Sequence, residues 1–111
     1  MSEHDELKQR IRAGNFIENN GRVIRVINIL RHEYNKLSTI IYALPALQED
    51  EILDSINYLY EAGYIHLRDI ETKTEVTSGL ADADYKQLEG KLTAKGIQLL
   101  AYGIKDPLVK V

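Results

Sequence analysis

The stretch Gln48 to Ile65, QEDEILDSINYLYEAGYI, decides how this chain is read. Ile52, Leu53, Ile56, Leu59 and Tyr60 recur at spacings of three and four, which predicts one helix with a single buried stripe opening at Gln48 or Glu49. Gly63 suits the left-handed position that ends such a helix, and Tyr64-Ile65 passes directly into a strand. Five acids and no lysine or arginine lie in this stretch, and the outward face is expected to carry Asp50, Glu51, Asp54, Asn57, Tyr58 and Glu61.

Downstream, YIHLRDI puts Ile65 and Leu67 on one side of a strand, and YKQLEGKL gives a second strand with Leu88 and Leu92 inward. Between them lies a polar, turn-rich tip that includes TKTEVTSG. Thr93 is expected to cap a last helix, with Ile97, Leu100 and Ala101 packed and Gly103 at its end, followed by a tail, DPLVKV, held extended by Pro107. Upstream, RVIRVINILRHEY reads as a helix whose Val23, Val26, Ile27, Leu30 and Tyr34 share a face, with Ile24 and Ile29 on its flanks. LSTIIYALPALQ reads as a short helix capped by Ser38 or Thr39 and stopped before Pro45. A separate short helix is expected over Asp5 to Ala13, with a break at AGNFIENNG.

Two of these stretches carry a resemblance. INYLYEAGYI resembles the end of the recognition helix and the start of the wing in bacterial regulators of the MarR, ArsR and PadR kind, and KLTAKGIQLL resembles the Leu-Thr-x-x-Gly turn that follows the wing in MarR and PadR relatives. The resemblance spans about Arg22 to Tyr102. It implies an α+β, mainly α fold, a winged helix-turn-helix with a two-stranded wing and flanking N- and C-terminal helices. The corresponding division is an N-terminal helical extension over residues 1–19, a winged-helix domain over 20–103 and a C-terminal tail over 104–111. The ending LTAKGIQLLAYGIKDPLVKV is also similar to that of small winged-helix proteins of Mu-like prophages.

In those families the outward face of the third helix enters the major groove, so its acids pose a problem. Affinity for DNA comes chiefly from neutralising phosphates, and carboxylates near that backbone oppose it. Charge along the chain is uneven: residues 8–36 carry a surplus of five positive charges, and residues 37–67 a surplus of five negative ones, within a net charge of -3. DNA contact is therefore expected through the basic N-terminal third, at Arg22, Arg25, Arg31 and Lys36, with Lys73 and Lys86 on the wing. Interspersed bases that simply solubilise a helix are the plainer reading of the same residues. The alternative is a winged helix turned to protein recognition, presenting Asp50, Asp54, Asn57, Tyr58 and Glu61 to a basic partner. Acids in the first helical turn also favour the helix dipole, and Asp54 and Glu61 suit an ordinary solvated face. A homodimer is expected, joined by terminal and first-helix surfaces. A third reading of the charge blocks is that the basic region of one copy meets the acidic region of another, which would favour self-association.

The chain of 111 residues, 44% hydrophobic and 28% charged, suits one globular domain. The absence of cysteine excludes disulfides, thiolate metal sites and cysteine nucleophiles. His4, His32 and His66 are too scattered for a ligand motif, and no phosphate loop or nucleophile elbow is present. No enzyme, metal or cofactor is expected. MSEHDELKQR lacks an apolar run, and the longest uncharged stretch, Leu37 to Gln48, is shorter than the roughly 20 residues a membrane helix needs, so a cytoplasmic protein is expected.

Overall fold

A computed structural model describes residues 3–77, 80 and 84–111. The chain is α+β and mainly helical: α1 (Glu3–Asn28), β1 (Asn35–Lys36), α2 (Leu37–Tyr42), α3 (Glu49–Glu61), β2 (Ile65–Asp69), a 3-10 turn (Tyr85–Gln87), β3 (Leu88–Leu92) and α4 (Ala94–Leu100). The three strands form one antiparallel sheet in the order β1-β3-β2. β2 and β3 pair Ile65 with Leu92 and Leu67 with Gly90, and two residues of β1 add to the free edge of β3. That third strand was absent from the two-stranded expectation, because two residues carry no alternation to read.

The core lies between α1, α2, α3 and the inner face of the sheet. Val23, Ile24 and Ile27 meet Leu37, Ile40, Ile52, Ile56 and Leu59, with Ile65, Leu67, Leu88 and Leu92 from the strands. α3 keeps the stripe expected of it: Ile52, Ile56 and Leu59 are fully buried, and Leu53 and Tyr60 half-buried. Gly63 takes φ +85°, as its C-terminal position requires. Thr93 Oγ1 accepts from the Gly96 amide, and a Cβ on Gly96 would lie 2.3 Å from the Tyr64 carbonyl, which gives the Leu-Thr-x-x-Gly turn a physical reason.

Several local expectations are corrected. α1 runs without a break through Asn19, Asn20 and Gly21, all buried, and ends at Asn28, so Ile29 and Leu30 are exposed and Tyr34 lies beyond the helix. These three residues are weak helix formers in isolation, but each has a tertiary reason to be there. Asn19 Nδ2 donates to Glu51 at 3.0 Å, and Asn20 Nδ2 to the Leu108 carbonyl at 2.9 Å. Gly21 lies under the chain at Lys110, whose carbonyl a Cβ would meet at 1.9 Å. The C-terminal tail thus folds back across α1: the Lys110 amide donates to the Ile17 carbonyl at 3.2 Å and Val109 is buried. α2 starts at Leu37 behind Lys36 with no side-chain cap, not at Ser38 or Thr39. In α4 Ile97 and Leu100 pack against the core as expected and Leu99 is buried with them, but Ala101 is exposed, and the left-handed residue after the helix is Tyr102 at φ 61°, not Gly103. Ser78 and Gly79 of the wing tip lie outside the described residues.

Candidate nucleic-acid and partner-binding surfaces

The six bases singled out from the sequence fall in separate places. Arg22 and Arg25 are exposed near the C-terminal half of α1. Arg22 lies 3.6 Å from Glu18, Arg25 donates to the Lys110 carbonyl at 3.4 Å, and Lys110 itself stands 3.7 Å from Glu18. Lys110 is a third base that only the folding back of the tail brings there. Arg31, in the turn after α1, donates to Asn28 Oδ1 at 2.7 Å. Lys86 stands beside Ser38, Ile41 and Tyr42 of α2. Lys36 and Lys73 belong to a different surface, the outer face of the sheet.

Strand alternation builds that face. With Ile65, Leu67, Leu88 and Leu92 inward, His66 and Arg68 of β2 and Glu89 and Lys91 of β3 point outward, where His66 opposes Lys91 and Glu89 opposes both Arg68 and Lys36. Arg68 Nε and Lys73 Nζ approach the same Glu89 oxygen at 2.8 and 3.1 Å. Burial pushes the Glu89 carboxyl up, but hydrogen bonds from Arg68 and Lys73 outweigh it and hold the group below its ordinary value. The Arg68 guanidinium lies 3.5 Å from the centre of the Tyr34 ring, and Lys91 Nζ lies 5.8 Å from it. His66 Nδ1 stands 3.4 Å from Glu75. Among the described residues, Lys36, Arg68, Lys73 and Lys91 therefore outnumber Glu75 and Glu89 on this face. Arg68 and Lys91 were missed in the sequence because the wing as a whole is rich in acids, and Tyr34 because it continues the apolar spacing of the preceding helix. The signal was the alternation itself, which sorts bases to one side.

The acidic surface is narrower than expected. Asp50, Asp54, Asn57 and Glu61 recur at i, i+4, i+7 and i+11, and the three carboxylates are exposed. Among the described residues, neither Asp54 nor Glu61 has an ion-pair partner. Tyr58, expected to face outward, is instead half-buried against Phe16 of α1, the two rings meeting edge to face at 5.5 Å. Its hydroxyl donates to Asp106 Oδ2 at 2.7 Å, and the Tyr64 hydroxyl donates to the same oxygen at 2.7 Å. Burial and the Asp106 carboxylate push Tyr58 up to about 12 and raise Tyr64 further. Burial opposes ionisation of Asp106, but hydrogen bonds from Tyr58, Leu108 and Tyr64 bring it below its ordinary value. Glu51 is half-buried and accepts from Asn19, and Glu49 accepts from the Tyr85 hydroxyl.

Between α1 and the first turns of α3 runs a groove of about 660 Å³. Ala13 and Phe16 line it with apolar surface, Arg12, Asn15 and Asn19 form the α1 side, and Asp50, Glu51 and Asp54 the α3 side. Among the described residues, no group of three or more His, Asp or Glu is placed to hold a metal ion, and no helix is long and apolar enough to cross a membrane. The chain matches no protein-family model, no curated protein and no solved structure, so its function is read from these surfaces.

Proposed function

We propose that this chain is a non-enzymatic winged-helix regulatory protein that associates with DNA through bases outside its third helix. The order helix, strand, helix, helix, strand, strand, helix around a β1-β3-β2 sheet suits a winged helix, with α2 and α3 as the helix-turn-helix pair and β2 and β3 as the wing. The observation that carries the DNA reading is the outer sheet face, where Arg68 and Lys91 lie over the Tyr34 ring, Lys36 and Lys73 stand beside Glu89, and among the described residues these four bases outnumber Glu75 and Glu89. Arg22, Arg25 and Lys110 supply a second basic group on α1 and the tail. Phosphate contacts of this kind give binding with little sequence preference and a steep dependence on salt.

The test is fluorescence anisotropy with random-sequence duplex DNA at low salt, followed by a salt titration. Lys36→Ala with Lys91→Ala is expected to weaken binding on all sequences and to flatten the log K against log salt slope by about one unit per lost contact. Arg22→Ala with Arg25→Ala tests the α1 group in the same way. Absence of binding at low salt refutes the DNA reading.

A second reading rests on the exposed carboxylates of α3: a winged helix presenting Asp50, Asp54 and Glu61, with Asn57, to a basic protein. Charge reversal at Asp54 and Glu61 abolishes capture of a basic partner under this reading, and capture that survives excludes the surface.

A further inference from the structure

The first half of α1 is an arm. Residues 3–15 are exposed along their whole length, and the molecule is correspondingly long, 48 Å against 32 and 25 Å in the other directions. A lone helix of this length is marginal in water, roughly 12–15 residues being the threshold even for good helix formers, and Gly14 weakens it further. Leu7 and Ile11, one turn apart on the arm, are 56% and 55% exposed.

Lys8, Arg12, Asn15 and Asn19 recur at i, i+4, i+7 and i+11 and so share one side of α1. It is the groove side, since Arg12, Asn15 and Asn19 line the groove. On this side the arm presents Lys8 and Arg12, preceded one turn earlier by Asp5 among the first-turn acids, and the groove at its root offers Asp50, Glu51 and Asp54.

We infer that two copies of this chain associate with the arm of each lying antiparallel along the α1-α3 groove of the other. This pairing is independent of whether DNA is bound, and it names a second copy as what fills the acidic groove. Running the stripe antiparallel onto itself sets Lys8 of one copy opposite Asn19 of the other, and Arg12 opposite Asn15. Asn19 is hydrogen-bonded to Glu51, so Lys8 arrives beside the acidic wall. At 1.5 Å per residue, residues 8–12 and the facing residues 15–19 cover equal lengths of helix, and a single two-fold axis fills both grooves at once. A parallel pairing sets base against base and leaves both acidic walls empty. Like charges so placed disfavour association, and opposite charges favour it.

Sedimentation equilibrium of the full chain tests the pairing. A dimer that dissociates as sodium chloride is raised is expected. Lys8→Glu with Arg12→Glu, or Asp50→Lys with Asp54→Lys, should each weaken self-association by roughly tenfold or more. All four positions are exposed, and circular dichroism checks that both variants remain folded. Mixed one to one, the two variants regain complementary arms and grooves and should form a heterodimer that neither forms alone. A monomer at every concentration, a dimer indifferent to both pairs of substitutions, or a mixture that stays monomeric overturns the proposal.

Discussion

Gly21→Ala should be destabilising in the whole chain and stabilising once the tail is gone. In an exposed helix interior this substitution normally gains about 1 kcal/mol. Here the added Cβ would lie 1.9 Å from the Lys110 carbonyl oxygen and 2.8 Å from its carbon, both backbone atoms, so the tail must move. Moving it exposes Val109, worth about 1.5–3 kcal/mol for a fully buried side chain of that size. It also removes the Leu108 carbonyl from the Asn20 amide, leaving a buried donor unpaired at about 1–3 kcal/mol. The Ile17 to Lys110 backbone bond and the Arg25 contact are lost with it. After the helix gain is subtracted, a net loss of about 1.5–5 kcal/mol remains. Urea denaturation reads it as a lower midpoint at unchanged slope. In a chain shortened by residues 107–111 the obstacle is absent, and the same substitution should raise the midpoint by the helix-propensity amount. A stabilised whole chain, or equal effects in both backgrounds, refutes the assignment of Gly21 as the seat of the tail.

Gly96→Ala places a Cβ 2.3 Å from the Tyr64 carbonyl with no tail to yield, so a loss above about 2 kcal/mol in thermal or urea unfolding is expected, larger than for any exposed glycine. Ser55→Ala should be neutral or stabilising by up to about 1 kcal/mol, because the Ser55 hydroxyl is fully buried with no hydrogen-bond partner among the described residues, and a clear loss of stability would reveal one. Asp106 has its folded-state value lowered, so its contribution is present above its unfolded value, near 4, and is lost as the pH falls through the lower folded one. Asp106→Asn should therefore reduce the drop in unfolding midpoint between neutral and acid pH, and an undiminished drop would assign acid sensitivity elsewhere. Tyr58 has the opposite sign: raised to about 12, it contributes stability that is full below its unfolded value near 10 and lost as pH rises from there through about 12, so Tyr58→Phe should flatten the alkaline limb of the stability profile.

The groups most exposed to misreading were those whose role depends on a distant segment. Tyr58 has helical spacing that places it beside Asp54 and Glu61, and sequence periodicity cannot say that Phe16, 42 residues earlier, and Asp106, 48 residues later, close over it. The bases Arg22, Arg25, Arg31 and Lys36 look like one block along the chain. Folding sends the first two to the tail and Lys36 to the sheet, because β1 pairs with β3. Conversely, Arg68 and Lys91 look diluted by neighbouring acids, yet alternation and strand pairing gather them around Tyr34.

What the sequence by itself determined was local and repetitive. The buried stripe of α3, its end at Gly63, strands β2 and β3 with their inward leucines and the Thr93 cap each follow from spacing and backbone chemistry confined to a few consecutive residues. Only the tertiary structure decided that Asn19, Asn20 and Gly21 continue a helix, that the tail packs instead of trailing away, and which charges share a surface. Those outcomes depend on partners 30 to 90 residues away: polar side chains that disfavour a helix alone are held in one by hydrogen bonds to Glu51 and Leu108, and a glycine that would weaken it makes room for the chain crossing above.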